Sequence, residues 1–248
     1  MAEPSVLAVF AHPDDESLSA GGLLARAVDA GARTAVVTAT WSEGSVRARE
    51  LAEAVRILGA GAPRMLGYAD AKVPESAPGR PPFCAAPLDE VVRALVVHIR
   101  EFRPDVVVTH DAYGGMTGHP DHLHTNRVTA LAAEAAGLEL YPDAGEPWRP
   151  RSLYLATHPM SVVAELRTVI GEQRAVHGVL DEQISERIDV SPWLERKIAA
   201  VLAHRSEADR GAVPGLVAAA HPEARAALLG TEWYLHRSPG GEPVERAG

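Results

Sequence analysis

Val6-Leu7-Ala8-Val9-Phe10 runs directly into Ala11-His12-Pro13-Asp14-Asp15-Glu16. Five consecutive apolar residues without polar alternation describe a strand buried on both faces, as in the parallel sheets of α/β proteins. The turn that follows sets an imidazole and several carboxylates where that strand emerges. A second apolar run, Asp105-Val106-Val107-Val108-Thr109-His110, precedes a matching cluster, Gly118-His119-Pro120-Asp121-His122.

Outward from the first stretch, Leu18, Leu23, Leu24 and Val28 recur at helical spacing until Gly31. Thr34–Thr40 is rich in β-branched residues and reads as a second strand. Ser45 suits the cap of a helix carrying Leu51, Ala54, Val55 and Leu58, closed by Gly59. A short third strand spans Arg64–Leu66, and residues 67–87 read as a long functional loop rich in Pro and Gly. Leu88–Phe102 is the clearest amphipathic helix; Pro104 ends it ahead of the fourth strand. A helix over 121–136 and a strand over 153–156 complete the alternation.

Such alternation implies a Rossmann-like, doubly wound, mainly parallel sheet of order 3-2-1-4-5. Strands 1 and 4 then meet where the winding reverses, and ligands of open α/β sheets bind at that point, outside the carboxyl ends of the strands. Both His/Asp clusters leave from those two ends. The last third suggests helices over 193–204 and 222–229 and a strand over 231–236 that either returns to the sheet or belongs to a small C-terminal α/β appendage. The expected division is a single domain of 1–248, with a core of 1–160, a completion of 161–237 and a frayed tail of 238–248.

The 248 residues carry a formal charge of −9 with 46% hydrophobic content, which argues against a nucleic-acid partner but not against a small anionic substrate. Cys84 is the only cysteine, so neither an intramolecular disulfide nor a cysteine-rich metal site forms. No apolar stretch approaches a membrane span, and the N-terminus lacks the pattern of a signal peptide. A cytoplasmic protein is expected, with homo-oligomerisation left open.

His12 and Asp15 at one strand end and His122 delivered from the other form a donor set suited to zinc. Three protein ligands leave a position for water, the arrangement of catalytic sites. Asp14 and Asp15 also suit the cap of the following helix, a role compatible with ligation. Asp14, beside the ligands, is placed to accept a proton from water and pass it to a leaving amine. His119 can face the same space and donate to a developing oxyanion, with Asp121 orienting its imidazole. The same donor set accepts Zn2+ or Fe2+.

The sequences Ala-His-Pro-Asp-Asp-Glu at 11–16 and Gly-His-Pro-Asp-His at 118–122 resemble the LmbE/PIG-L family of zinc-dependent N-deacetylases, which act on N-acetylglucosaminyl compounds. The resemblance implies zinc on His12, Asp15 and His122, Asp14 as general base and His119 as catalytic imidazole. Arg47-Ala48-Arg49-Glu50-Leu51 is similar to a family helix whose Arg reaches substrate hydroxyls or phosphate, which maps to Arg47. Leu66-Gly67-Tyr68-Ala69-Asp70 is similar to a segment whose Asp binds sugar hydroxyls, which maps to Asp70. His122-Leu123-His124-Thr125 and Ala203-His204-Arg205-Ser206 echo the mycothiol branch, and Glu232-Trp233-Tyr234 is similar to a family tail. Where some members of that branch have Tyr before the second motif, this chain has Thr117, so the oxyanion contact falls to zinc and His119, or to Tyr113 if its loop bends inward.

These residues imply a metal-dependent amidohydrolase releasing acetate from a small glucosamine-containing substrate. Two alternatives stay open: cleavage of a larger amide, as in a mycothiol S-conjugate amidase, and a non-catalytic Rossmann-like protein binding metal or nucleotide. Against the last, no Gly-x-Gly-x-x-Gly follows the first strand.

Overall fold

The structure, a computed structural model, describes residues 3–171 and 175–240. Seven strands form one sheet: β1 (Val6–Phe10), β2 (Thr34–Thr40), β3 (Arg64–Tyr68), β4 (Val106–His110), β5 (Ser152–Thr157), β6 (Glu186–Asp189) and β7 (Thr231–Arg237). Their order is β3-β2-β1-β4-β5-β7-β6. The first five strands run parallel; β7 pairs antiparallel with both β5 and β6. The chain therefore winds away from the central β1–β4 pair in both directions, and the carboxyl ends of these two strands open side by side.

Nine α-helices flank the sheet among the described residues: α1 (Asp15–Asp29), α2 (Val46–Leu58), α3 (Leu88–Phe102), α4 (Pro120–Ala135), α5 (Met160–Ile170), α6 (Leu194–Ala203), α7 (Arg205–Asp209), α8 (Val213–Ala219) and α9 (Pro222–Leu229). Successive strand side chains point to opposite faces. Leu7, Val9, Val37 and Val107 accordingly meet Val91, Leu95 and Ile99 of α3 and Val128 and Ala132 of α4 in one layer. Val6, Ala8, Phe10 and Val108 meet Leu24 of α1, Leu51 and Val55 of α2 and Ala200 of α6 in the other. This two-sided burial is why β1 and β4 contain no exposed position.

Of the two outcomes expected for the C-terminal strand, return to the sheet is the one observed. Instead of packing apart, β7 adds to the edge of β5 and carries β6 outside it, so the sheet continues. Helices α5, α6, α8 and α9 bury a third apolar cluster that includes Val163, Leu166, Val201, Val217 and Leu229. The expected long loop also differs. It contains short 3-10 turns at Pro74–Ser76 and Phe83–Ala85 and is tied across itself by Phe83 N–H donating to the Ala69 carbonyl at 2.8 Å. The tail expected to fray lies, from residue 241, outside the described residues.

Candidate metal centre and active site

The turn after β1 and the start of α4 face each other across the carboxyl end of the sheet. His12 Nδ1 lies 3.0 Å from His122 Nε2, and Asp15 places Oδ2 3.3 Å from His12 Nδ1 and Oδ1 3.3 Å from His122 Nε2. A tetrahedral ion with bonds of 2.0–2.2 Å needs donor separations of about 3.3–3.6 Å, and the distances among these four atoms of three residues lie within a few tenths of an ångström of that.

The proton inventory shows why the set calls for a cation. His122 Nδ1 donates to the Gly114 carbonyl at 3.0 Å, which leaves Nε2 a bare lone pair. His12 Nε2 faces Asp121 Oδ2 at 3.2 Å and Asp70 Oδ2 at 3.5 Å, both acceptors, so Nδ1 is likewise bare. With both rings neutral, two lone pairs and a carboxylate therefore converge on one point, where either a cation or a second proton on His12 supplies the positive charge. Burial alone would lower the basicity of His12, yet Asp121, Asp15 and Asp70 raise its pKa to about 10. The surrounding carboxylates favour positive charge at this position, and a divalent ion fits the donors.

Asp14 sits where α1 begins, yet it does not cap the helix: its side chain makes no cap hydrogen bond and its φ is 125°. Its backbone N–H instead donates to Glu16 Oε2 at 3.0 Å. Burial pushes the Asp14 carboxyl up to about 6, against the lowering effect of Arg47. A carboxylate near that value is a serviceable base at neutral pH.

Arg47, expected to reach substrate, is 2% exposed and already engaged. It contacts Asp14 Oδ1 at 3.2 Å and Glu207 Oε1 at 3.1 Å, donates to the Pro13 carbonyl, and lies 4.9 Å from the Trp41 ring centre. The guanidinium holds Asp14 in place. Asp70 is buried, with Oδ1 accepting the Lys72 N–H at 2.7 Å and facing His119 Nε2 at 3.9 Å.

His119 is the N-cap of α4; its Nδ1 accepts the Asp121 N–H at 3.2 Å, so the proton sits on Nε2. Burial, followed by the charges of His12 and His122, lowers its pKa to about 4 and keeps it a neutral donor. The expected service of Asp121 to His119 is not what the geometry displays. The Asp121 carboxylate accepts the N–H groups of Ala71 at 2.9 Å and Cys84 at 3.0 Å and faces His12 at 3.2 Å, while His119 Nδ1 is 3.7 Å away. Asp121 therefore orients His12. Tyr113 does not bend inward: it is 54% exposed and stacks on His177.

Several participants were not singled out from the sequence. His110 stacks on His122 at 3.9 Å, with Nε2 3.3 Å from Asp15 Oδ2. Its signal was available, since it is the last residue of the second apolar run. Glu16 and His204 form a fully buried pair at 3.0 Å behind Asp14, and burial of His204 is outweighed by Glu16, which raises its pKa. The centre opens into a cavity of about 420 Å³ along the carboxyl edge of the sheet.

The family model described as PIG-L, GlcNAc-PI de-N-acetylase, matches residues 7–133. A 1D-myo-inositol 2-acetamido-2-deoxy-alpha-D-glucopyranoside deacetylase of Rhodococcus jostii (strain RHA1) is 36% identical over 84% of this chain and 82% of that protein. The protein of that name from Streptomyces avermitilis is 36% identical over 97% of this chain and 94% of its own. Among solved structures, a conserved protein of Thermus thermophilus superposes with a TM-score of 0.66 at 28% identity, covering all of both chains.

Proposed function

The chain belongs to the PIG-L family, and from that premise we propose that it is a zinc-dependent hydrolase removing the N-acetyl group from a glucosamine-containing small molecule. The observation that carries this reading is the convergence of His12 Nδ1, His122 Nε2 and Asp15 Oδ1 and Oδ2 within 3.0–3.3 Å, each imidazole having its other nitrogen engaged. A divalent ion bound by these three residues would supply Lewis acidity toward a carbonyl oxygen and acidify water.

The chain's own groups account for the proton traffic. Asp14 accepts a proton as water adds to the acetamide carbonyl, and Arg47 keeps the carboxylate aimed at that space. His119 Nε2–H donates to the oxygen that gains charge in the tetrahedral intermediate. Collapse breaks the C–N bond, and the proton held by Asp14 passes to the departing nitrogen. Acetate and a free amine result. Asp121 and the Gly114 carbonyl fix the tautomers of the two ligating imidazoles. Asp70, facing both His12 and His119, is available to sugar hydroxyls from the floor of the cavity.

The test is metal analysis of the purified protein together with an amine-release assay across N-acetylglucosaminides. Near-stoichiometric zinc or iron and chelator-sensitive amine release are expected. Metal-independent release, or none from any of these compounds, would overturn the reading.

A further inference from the structure

Glu16 and His204 take no part in the hydrolysis described above, and neither lines the cavity. Their side chains are fully buried, and His204 Nε2 lies 3.0 Å from Glu16 Oε1. A buried ion pair gains little over apolar residues of the same volume, because lost hydration offsets the attraction. Helices α1 and α6 are already joined by an apolar layer that includes Ala20, Leu24 and Ala200. Adhesion between helices does not account for the pair.

Its geometry points to Asp14. Glu16 Oε2 accepts the Asp14 N–H at 3.0 Å, while Oε1 accepts the Ser17 hydroxyl at 2.6 Å and the His204 ring N–H. Asp14 is a non-glycine residue at φ 125°, a conformation that lasts only where its surroundings hold it. Ser17 belongs to the same turn as Glu16 and moves with it. Among the described residues, His204 is the one partner of the Glu16 carboxylate from outside that turn.

His204 is itself fixed. It stands at the corner where α6 gives way to α7, its N–H donating to the Val201 carbonyl at 3.2 Å and its carbonyl accepting the Glu207 N–H at 3.2 Å. The Ser206 N–H and hydroxyl bind the Glu50 carboxylate of α2 at 2.8 and 2.6 Å, and Glu207 meets Arg47 of the same helix at 3.1 Å. The corner is thus pinned to α2 with the ring turned toward α1. His204 Nδ1 is buried with no hydrogen-bond partner among the described residues, so the ring's polar contact is the one to Glu16.

We propose that His204 is a positioning residue for the proton acceptor: through Glu16 it holds the Asp14 backbone in its strained conformation and so keeps the carboxylate aimed at the attacking water. The inference rests on the deacetylase reading, in which Asp14 is the base. It gives the C-terminal third a part in turnover besides completing the sheet.

The test measures kcat, KM, zinc content and melting temperature of the full metal-loaded chain on an N-acetylglucosaminide that the wild type cleaves. In His204→Gln the amide nitrogen takes the place of Nε2 and still reaches Glu16, so kcat should stay within about threefold of wild type. In His204→Asn the side chain is one bond short. Displacing the base by about 1 Å should lower kcat about ten- to hundredfold, with KM and zinc content unchanged. Glu16→Gln keeps position without charge, its oxygen on the Asp14 N–H and its NH2 toward a neutral His204, and should also stay within about threefold. Added to Asp14→Asn, which leaves no base to position, His204→Asn should lower kcat no further. Wild-type kcat in His204→Asn would overturn the inference. So would an equal loss in both backgrounds, a loss that follows zinc content, or a rise in KM alone. If His204→Asn does not fold, the two glutamine variants decide, and a loss of about tenfold in either counts against it. No amine release by the wild type would overturn the deacetylase reading, and the inference with it.

Discussion

At Asp14 the backbone sits at φ 125°, in a region that non-glycine residues enter at a cost of about 1–3 kcal/mol. The Arg47 contact at 3.2 Å and the Glu16 hydrogen bond at 3.0 Å hold it there. Asp14→Asn preserves shape and removes the proton acceptor, so metal content should stay at the wild-type level while kcat falls about 10²–10⁴-fold. Metal analysis beside steady-state kinetics checks both halves, and near-normal kcat would remove Asp14 from the base role. Arg47→Ala has a different expected signature. The sequence alone suggests a contact to substrate, and hence a raised KM. The geometry instead ties Arg47 to Asp14 and Glu207, all buried, and breaking such a pair costs about 3–5 kcal/mol. Arg47→Ala should therefore lower kcat and the melting temperature together. A pure KM effect with unchanged melting would return Arg47 to the substrate.

Helix α1 carries the start of the site, and its packing explains why Gly21-Gly22 interrupts an otherwise ordinary helix. A Cβ on Gly22 would come within 2.3 Å of Val190, so the helix approaches this residue more closely than any side chain permits. Gly22→Ala should cost about 1–3 kcal/mol by overpacking, read as a lower denaturation midpoint, and should loosen the metal centre because Asp15 and Glu16 ride on the same helix. An unchanged midpoint would show that the Val190 contact is dispensable. This is also the scale at which sequence and structure part. The central strands and α1 to α4 were legible because two-sided burial leaves unbroken apolar runs and one-sided burial leaves a helical stripe. Strand β6, Glu186-Arg187-Ile188-Asp189, buries only Ile188, and four residues on a polar edge carry no readable alternation. Within the site, His12, Asp15 and His122 were legible because a strand end announces each segment. Glu16 with His204 is a pairing across 188 positions that only α6 packing on α1 creates, and no local pattern encodes it. Asp121 was expected to serve His119, two positions away, but its carboxylate turns to His12, 109 positions distant, because the Ala71 and Cys84 N–H groups draw it there.

Over the whole molecule, the sheet joins segments that the sequence separates. Because β7 pairs with β5 and Glu232 binds the N–H groups of Gly22 and Leu23, residues 1–160 and 161–237 should unfold in one transition. Two separated calorimetric transitions would contradict this. The metal centre bears on the same stability. Its ligands come from the ends of β1 and α4, so a bound ion clamps the two halves of the parallel sheet where the winding reverses. Without an ion, a second proton on His12 holds the Asp15 carboxylate and His122 Nε2, 3.0–3.3 Å away, with a single charge where a divalent ion would bind all three residues. An ion that binds the native chain and not the unfolded one stabilises it by about 2.7 kcal/mol at a concentration 100-fold above Kd. For a chain of this length that corresponds to about 5–10 °C in melting temperature. Chelation should therefore lower the melting temperature by that amount, and added zinc should restore it. In Asp15→Ala and His122→Ala the difference between chelated and zinc-loaded protein should vanish, since neither variant retains the donor triangle. Equal melting of the wild type with chelator and with zinc would mean that His12, Asp15 and His122 do not share an ion, whatever their spacing.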